Sequence, residues 1–242
     1  MQERVNTYWT DHAAAYDDYQ QRPERRTADE EAWSRIWAAH LPPSPARVLD
    51  VGTGSGTMAR LMAGMGYDVT GIDLSTGMLD RARAHEASQP GRAGTLTLAL
   101  GDAVDPDFPT DHVDAITNRY LMWTLRQPET ALANWRRVLR PHGVLAVVDS
   151  TWFAHGFDTG HGSTFWQAYN DDVTRELPLA AASTIHDTAQ LIQDAGFTNV
   201  TVTPLTEILE LDRQHGVSPG HDLQTQFMIT AQNQPLTSAA AR

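Results

Sequence analysis

Residues 48–56 read VLDVGTGSG, and residues 71–75 read GIDLS. Each segment belongs to a short apolar run that ends in an acid, Asp50 in the first and Asp73 in the second. Short apolar runs bounded by glycine are typical of buried parallel strands. Here alternating glycines lead from the first run into a helix-compatible stretch, and an acid ends the next run. This arrangement suits a nucleoside ligand that lies across the carboxyl ends of two neighbouring strands.

Outward from this turn, strand-like and helix-like segments alternate. The predicted strands are 46–51, 67–73, 94–100, 112–118 and 143–149, and the predicted intervening helices are 56–65, 76–87 and 128–139. Alternation of this kind predicts a parallel sheet with helices on both faces. A further helix is expected between Thr184, which opens a capping box, and Gly196. We expect the β-rich segments 197–203 and 224–231 to pair as an antiparallel hairpin with a long connection.

The flanking segments are expected to cover the sheet. Helices are predicted over 6–20 and 27–40. The first helix has an aromatic face, which either packs on the sheet or closes over the ligand; we favour the second interpretation. After Ser150 the alternation stops, and residues 151–182 collect aromatic side chains that form a substrate-pocket wall or a second small core. We therefore expect one domain over 1–242, divided into a helical lid (1–45), a ligand-binding core (46–150), a substrate-cap insertion (151–183), a helix and hairpin (184–231) and a tail (232–242).

Composition excludes several classes of function. The formal net charge of −12 argues against a nucleic-acid partner, which needs a basic face. Cysteine and lysine are both absent, which excludes thiolate chemistry, disulfides, Schiff bases and a phosphate-loop lysine. No apolar run approaches the roughly 18 residues of a membrane span, and the polar N-terminus lacks a signal-peptide core, so a cytoplasmic protein without a membrane partner is expected.

Three details indicate which nucleoside is bound, since NAD, FAD and S-adenosylmethionine (SAM) sites all have glycine-rich turns. The glycines follow the pattern G-x-G-x-G rather than the G-x-G-x-x-G tuned to a pyrophosphate. Asp50 would repel a pyrophosphate but suits a ligand that carries an ammonium group. Asp102, after the third strand, offers an acceptor for the exocyclic amine of adenine. The three details together favour SAM.

The motifs VLDVGTGSG, GIDLSTGML, GDA and NRYLMWTLRQPETALANWRRVLRPHGVLAVVDS resemble the class I SAM-dependent methyltransferases, most closely the type 11/25-like group of the small-molecule branch. The resemblance covers 46–150 strongly and the N-terminal YWTDHAAAYDDY more loosely. It implies an α/β, doubly wound, mostly parallel seven-stranded Rossmann-like sheet with helices on both faces, an antiparallel C-terminal hairpin, an N-terminal helical lid and an insertion after strand 5. His142 departs from the family, which usually has glycine there; we expect little consequence for the cofactor site.

The resemblance also implies cofactor roles. The glycine turn lies beside the methionine part of SAM, an acid holds both ribose hydroxyls, apolar side chains and an acidic turn meet adenine, and the end of the fourth strand lies beside the sulfonium. Together with Asp50 for the ammonium and Tyr16 on the lid, the expected cofactor residues are Tyr16, Asp50, Gly52, Thr53, Gly54, Asp73, Leu74, Met78, Asp102, Ala103, Asn118 and Arg119. For Met78, an ordinary core position is an equal alternative.

We expect the lid and the insertion to contribute to the pocket for the methyl acceptor. The expected pocket residues are Tyr8, His12, Tyr120, Trp123, Trp152, Trp166 and Tyr169. If the reaction needs a general base, His155 or His161 is the first candidate, with His12 and Tyr120 next. The spacing of His155 and His161 does not suffice for a metal pair, and no metal is expected. Arg22, Arg25 and Arg26 either seat a carboxylate or form a solvated basic run.

The sequence thus predicts transfer of a methyl group from SAM to an O, N or C atom of a small, biosynthetic acceptor, leaving S-adenosylhomocysteine. The protein is expected to be a monomer or homodimer without a nucleic-acid partner. Two alternatives stay open: a NAD(P)-dependent oxidoreductase on a similar sheet, and a catalytically silent SAM-binding scaffold or regulatory protein.

Overall fold

A computed structural model describes residues 1–88, 91–153, 164–217 and 222–234. The strands are β1 (Arg47–Val51), β2 (Asp68–Asp73), β3 (Thr95–Leu100), β4 (Val113–Arg119), β5 (Leu139–Asp149), β6 (Thr198–Pro204) and β7 (Phe227–Gln232). The helices are α1 (Gln2–Gln20), α2 (Pro23–His40), α3 (Thr57–Gly64), α4 (Thr76–Ser88), α5 (Pro128–Val138), α6 (Thr164–Ala168), α7 (Asp171–Thr174), α8 (Ile185–Asp194) and α9 (Thr206–His215). None of these helices is long and apolar enough to cross a membrane.

The seven strands form one sheet in the order β3-β2-β1-β4-β5-β7-β6. Strands β1 to β5 pair in parallel, whereas β7 pairs antiparallel with both β5 and β6. The predicted doubly wound fold and its antiparallel C-terminal hairpin are confirmed. The chain changes direction across the sheet between β1 and β4, and ligands of such sheets bind at the carboxyl ends of the strands beside that crossover.

Apolar side chains bury both faces of the sheet. On one face, Trp135 of α5 is fully buried, and its indole Nε1 donates to the carbonyl oxygen of Ala103 at 2.7 Å. On the other face, Trp37 of α2 is fully buried, and its Nε1 lies 3.3 Å from the sulfur of Met58. Each indole thus packs its ring into a core and also satisfies its polar atom, as a buried tryptophan requires.

Most predicted boundaries of helices and strands lie close to the observed ones. Thr184 and Asp187 form the predicted capping box at the start of α8. Helix α2 begins at Pro23, four residues before the predicted start, because proline is well suited to the first turn of a helix. Strand β5 begins at Leu139 rather than 143, since Leu139 already pairs with Val113 across a register shift.

Helix α9 was not predicted, because its residues were read as part of the long hairpin connection. It lies between β6 and β7 and packs against α2, with Ile208 and Asp212 buried. Only three of its ten residues, Ile208, Leu209 and Leu211, are apolar. Its stability therefore comes from this tertiary packing rather than from the local sequence.

His142, the departure from the family's glycine, has a backbone consequence. Its φ angle is 65°, in the left-handed region that disfavours residues with a Cβ atom. Its amide N–H donates to the carbonyl oxygen of Asn233 at 2.6 Å, which holds the turn in this conformation. The family's glycine is thus explained by backbone geometry, and the turn lies at the end of β5 far from Asp149.

We expect His142→Gly to unfold with a higher free energy than His142→Val, by about 1–2 kcal/mol, because only the glycine variant avoids the left-handed strain. Urea denaturation of both variants and of the unsubstituted protein measures the difference. Equal unfolding free energies for the two variants would contradict the assigned turn conformation.

Candidate active site

A cavity of about 520 Å³ opens at the carboxyl ends of β1, β2 and β4. Its floor includes the glycine turn after β1 and the loop after β2, and α1 lies over it. Most lining residues come from segments far apart in sequence, including α2, the loop after β5 and the segment before β7. The sheet crossover, the glycine turn and the N-terminal helix therefore meet at one site.

The glycine turn is built for close backbone approach. Gly52, Gly54 and Gly56 have φ angles of 69°, 56° and 75°. A Cβ atom on Gly52 would lie 2.8 Å from the side chain of Leu121, whereas a Cβ atom on Gly54 would meet nothing within 4 Å. The amide of Thr53 donates to the carbonyl oxygen of Ile72 at 2.9 Å and ties the turn to β2. The turn thus leaves a narrow, side-chain-poor floor under the cavity.

Asp73, the last residue of β2, lines this floor. Its Oδ2 accepts the amide of Gly54 at 2.8 Å, and its Oδ1 accepts the amide of Ser75 at 2.8 Å. Burial raises the pKa of Asp73, while backbone hydrogen bonds from Ser75, Gly54 and Leu74 lower it. Each oxygen keeps further acceptor capacity, so this fixed carboxylate can also accept two hydroxyls of a ligand.

Asp50 is an anchor of the turn rather than a wall of the large cavity. It is 4% exposed; its Oδ2 accepts from the hydroxyl of Thr53 and its Oδ1 from that of Thr117, both at 2.7 Å. Burial raises its pKa to about 6, against the lowering effect of the two hydroxyls. Asp50 reaches only a neighbouring recess of about 30 Å³, which Tyr16 and Arg119 also line.

The loop after β3 also lines the cavity. Leu74, Met78 and Ala103 line it, as the sequence predicts for the adenine end. Asp102 already has partners: its Oδ1 accepts the amide of Val104 at 2.8 Å, and its Oδ2 pairs with Arg126 at 2.5 Å. Any contact with an adenine amine therefore has to share this carboxylate with Arg126.

Helix α1 is fastened over the cavity through α4. Asp17, fully buried, accepts from Nε of Arg81 at 2.8 Å and from the imidazole of His85 at 2.8 Å. Near the N-terminus of α4, the backbone of Thr10 lies so close to Gly77 that a Cβ there would be 2.5 Å from its carbonyl oxygen. These contacts place Tyr16 in the cavity wall, where the lid hypothesis expects it.

The structure also locates the residues expected on the acceptor side. Tyr8, His12, Tyr120, Trp123 and Trp152 line the cavity. Phe153 and Phe165, which belong to the insertion expected to form the pocket wall, line it as well. Three further aromatic side chains, not singled out for the pocket from the sequence, also line it, namely Trp9, Tyr19 and Trp33.

Two expected pocket residues have other surroundings. Tyr169 is 1% exposed and lies behind the wall, where its hydroxyl accepts from Trp9 Nε1 at 2.8 Å and meets Thr124 at 3.0 Å. Trp166 packs edge-on against Phe165 at 4.9 Å between ring centroids and is not among the cavity-lining residues. The insertion thus contributes both to the cavity wall and to a small aromatic core.

Of the candidate general bases, the structure describes His12 but not His155 or His161. His155 and His161 lie in 154–163, outside the described residues. His12 has both ring nitrogens within hydrogen-bond distance: Nδ1 at 2.8 Å from the carbonyl oxygen of Tyr8, and Nε2 at 2.8 Å from the hydroxyl of Thr164. A carbonyl oxygen only accepts, so Nδ1 carries the proton. His12 thus joins α1 to α6.

Tyr120 follows β4 with a φ of 64°, a left-handed conformation that is strained for a residue with a side chain. Its hydroxyl donates to Oε1 of Gln226 at 2.5 Å, and its ring meets that of Trp152 edge-on at 5.0 Å. Burial strongly raises the pKa of its hydroxyl, which disfavours loss of the proton. Tyr120 is therefore a rigid wall and a hydrogen-bond donor rather than a base.

Asp149 was missed by the sequence reading, although it ends a third apolar strand in an acid, as Asp50 and Asp73 do. It is 1% exposed, and its Oδ1 accepts from the amide of Ser150 at 2.8 Å and from the indole of Trp152. The amides of Met122 and Trp123 also stabilise the carboxylate, but burial dominates and raises its pKa to about 6. Asp149 therefore holds two segments of the cavity wall together.

Asn118 lies beside these groups on β4 and is fully buried. Within the described part of the chain, neither polar atom of its side chain has a hydrogen-bond partner. Buried amides without partners are rare in folded proteins. Asn118 does not line the 520 Å³ cavity, so its expected place beside the sulfonium stays a prediction. Across the described ranges, no group of three or more metal-ligating side chains is present.

The central part of the chain is similar to a known protein family. Residues 49–147 match the methyltransferase domain family. The demethylmenaquinone methyltransferase of Renibacterium salmoninarum is 30% identical to this chain over 150 residues, which cover 62% of this chain and 57% of that protein. The demethylmenaquinone methyltransferase of Parafrankia sp. is 34% identical over 163 residues, which cover 62% of this chain and 61% of that protein. The chain therefore spans about three fifths of the length of these curated relatives.

Solved structures share the fold. Phosphoethanolamine N-methyltransferase 2 of Haemonchus contortus, crystallised with phosphomonomethylethanolamine and S-adenosylhomocysteine, superimposes with a TM-score of 0.61 at 20% identity. The superposition covers 85% of this chain and 52% of that protein.

The pKa of Asp149 generates a pH prediction. Folding raises this pKa from about 4 to about 6, so the folded state binds the proton more tightly and loses stability as the pH rises through this range, by about 3 kcal/mol. Asp149→Asn removes this dependence. We expect its free energy of unfolding to fall less than that of the unsubstituted protein between pH 4 and pH 6.5.

Urea titrations at a series of pH values measure this difference. Because Asp50 titrates in both proteins, comparing the two isolates Asp149, and the exposed Asp107→Asn is the matched control. Parallel pH curves for the unsubstituted protein and Asp149→Asn would refute the assignment.

Proposed function

Because the chain belongs to the class I SAM-dependent methyltransferases, we propose that it transfers a methyl group from SAM to an O, N or C atom of a small-molecule, biosynthetic acceptor. The observation that carries the proposal is the carboxylate of Asp73. It is fixed by the amides of Gly54 and Ser75 and faces the cavity beside the glycine turn. A ribose with two free hydroxyls fits such an acceptor.

The residues present fit SAM in other respects. Gly54 lines the cavity, and a Cβ atom on it would meet nothing within 4 Å, so the backbone of the turn faces open space there. Leu74, Met78 and Ala103 offer apolar surface for adenine, and Asp102 offers an acceptor at its edge. Asp50 holds the turn through two threonine hydroxyls and so acts on the ligand through the turn.

Once bound, SAM supplies an activated methyl group. The chain's own contribution is to position the acceptor in line with that group and to exclude water. Tyr16 and the aromatic wall that includes Tyr8 and Trp123 surround the cavity for this purpose. If the acceptor must lose a proton, His155 and His161 remain our candidates for the base, with His12 and Tyr120 disfavoured by their hydrogen bonds.

The aromatic wall also supports the acceptor class. Among the described residues, ten aromatic side chains on five separate segments line the cavity, which suits a planar or largely apolar small molecule. Two curated relatives are named for a quinone-type acceptor, demethylmenaquinone. We infer an acceptor of similar size and character and leave the accepting atom open among O, N and C.

Calorimetric titration of the purified protein with SAM, S-adenosylhomocysteine and NADH tests the proposal. We expect the two adenosyl compounds to bind and NADH not to bind. Asp73→Ala should weaken their binding by about 100-fold or more, because hydrogen bonds to a charged group contribute about 1.5–3 kcal/mol each. Asp68→Ala, at the opposite end of the same strand, is the matched control and should leave the affinity unchanged.

Catalysis is tested separately from binding. The protein is incubated with methyl-labelled SAM and a small-molecule extract, and labelled products are sought by mass spectrometry. A product formed by the unsubstituted protein and not by Asp73→Ala supports methyl transfer. Tight SAM binding with no labelled product from any extract or quinol probe would favour the silent scaffold, and preferential NADH binding would favour the oxidoreductase.

The lid hypothesis generates a further prediction. Gly77→Ala places a Cβ against the backbone of Thr10, so α1 must shift away from α4. We expect about tenfold weaker binding of S-adenosylhomocysteine and faster amide hydrogen exchange in α1, because overpacking costs about 1–3 kcal/mol. Gly64→Ala in α3 is the matched helical control, since nothing lies within 4 Å of the added Cβ. Unchanged affinity and exchange in Gly77→Ala would mean that α1 is not a lid.

A further inference from the structure

Three hydrogen-bonded side chains, which we call the wall network, lead from α1 to the cavity. The indole Nε1 of Trp9, on α1, lies 2.8 Å from the hydroxyl oxygen of Tyr169, and this oxygen lies 3.0 Å from Oγ1 of Thr124. Tyr169 is 1% exposed and lies behind the cavity wall, whereas Thr124 lines the cavity. The wall network therefore passes through the small aromatic core and ends at the site of ligand binding.

The direction of each hydrogen bond in the wall network follows from the protons that its members carry. An indole N–H only donates, so the hydroxyl oxygen of Tyr169 accepts from Trp9. Burial raises the pKa of Tyr169 to about 12, so its hydroxyl keeps its one proton. Among the described residues, Thr124 is the only remaining group within hydrogen-bond distance of this hydroxyl. If Thr124 donated instead, the buried proton of Tyr169 would have no acceptor, which is unfavourable. Tyr169 therefore donates to Thr124.

This direction leaves the hydroxyl proton of Thr124 available to a ligand. Within the described ranges, the Thr124 hydroxyl hydrogen-bonds to no group besides Tyr169. Thr124 is half-buried and lines the cavity, so its proton can reach a molecule bound there. Donation from Tyr169 also polarises the Thr124 O–H bond, because consecutive hydrogen bonds strengthen one another. The wall thus presents an oriented hydrogen-bond donor to the cavity.

The surroundings of Thr124 indicate which kind of group its proton meets. The ring centroid of Trp123, the preceding residue, lies 5.1 Å from that of Tyr169 and 5.4 Å from that of Phe153. Trp123 and Phe153 line the same cavity. A polar donor among aromatic rings suits an aromatic ligand that carries an acceptor oxygen, because a few placed polar groups orient a ligand in an apolar pocket.

We propose that Thr124 is a specificity-determining residue that donates its hydroxyl proton to a carbonyl or phenolate oxygen of the methyl acceptor. This role rests on the proposed function, and it restricts the acceptor to a planar molecule that carries such an oxygen. Trp9 and Tyr169 are positioning residues, because they act only through the Thr124 hydroxyl. Since Trp9 belongs to α1, the network is complete only when α1 covers the cavity.

Two probes of similar shape test this role, 1,4-naphthoquinone and 1,4-dimethylnaphthalene. Only the quinone carries acceptor oxygens. The chain has no cysteine or lysine, so no side-chain thiol or lysine amine can add to the quinone. Equilibrium dialysis measures the affinity of each probe for the protein saturated with S-adenosylhomocysteine, and the ratio of the two affinities reports the contribution of the oxygens.

Two substitutions of Thr124 separate its hydroxyl from its shape. Thr124→Val keeps the shape and removes the hydroxyl, whereas Thr124→Ser keeps the hydroxyl. We expect Thr124→Val to weaken quinone binding about 3- to 10-fold and to leave the hydrocarbon's affinity unchanged, because one hydrogen bond to a neutral group is lost. Thr124→Ser should retain most of the quinone affinity. Tyr169→Phe should lower the ratio by a smaller factor, since it removes the partner that orients the Thr124 hydroxyl.

Thr164→Val is the matched control. The Thr164 hydroxyl lies 2.8 Å from Nε2 of His12 and so joins α1 to α6, but Thr164 is not among the residues that line the cavity. We expect this variant to show the ratio of the unsubstituted protein. An equal fall of the ratio in Thr164→Val and Thr124→Val would indicate loosening of α1 rather than a lost donor, and would overturn the proposal.

Two other results would also overturn it. One is the absence of quinone binding by the unsubstituted protein. The other is an unchanged ratio in Thr124→Val, which, if S-adenosylhomocysteine binding were weakened at the same time, would assign the donor to the cofactor. Failure of the unsubstituted protein to bind S-adenosylhomocysteine would instead overturn the proposed function, because the ratio of the two probes can also be measured without the nucleoside.

Discussion

The site depends on the link between Asp73 and the glycine turn. The amide of Gly54 donates to Asp73, and the amide of Thr53 donates to the carbonyl oxygen of Ile72, so the turn after β1 is tied to the end of β2. Asp50 secures the same turn from below through Thr53. These bonds fix the carboxylate and the bare backbone in one orientation before any ligand arrives, which reduces the entropy that binding has to offset.

The remaining parts of the site are arranged around this rigid floor. Helix α1 is held over it by the buried carboxylate of Asp17, and the loops after β4 and β5 are held by that of Asp149. Buried carboxylates thus join α1 to α4 and the two wall segments to each other. The pocket between them is lined largely by aromatic side chains, and Asp73 and Arg119 are among the charged residues of its lining.

The sequence predicted the floor of the site far better than its walls. The strands, the glycine turn and Asp73 follow from local patterns, because apolar runs, glycines and strand-terminal acids are contiguous in the chain. The walls come together only in three dimensions: Tyr19 from α1 and Trp33 from α2 carry no local signal of facing one cavity. Helix α9 was missed for the same reason, since its stability depends on packing against α2.

The most direct test of the account is a crystal structure of the protein with S-adenosylhomocysteine. The account predicts the ribose hydroxyls within hydrogen-bond distance of both oxygens of Asp73 and the sulfur chain over the backbone at Gly52. A nucleoside bound elsewhere, or a ribose turned away from Asp73, would contradict it.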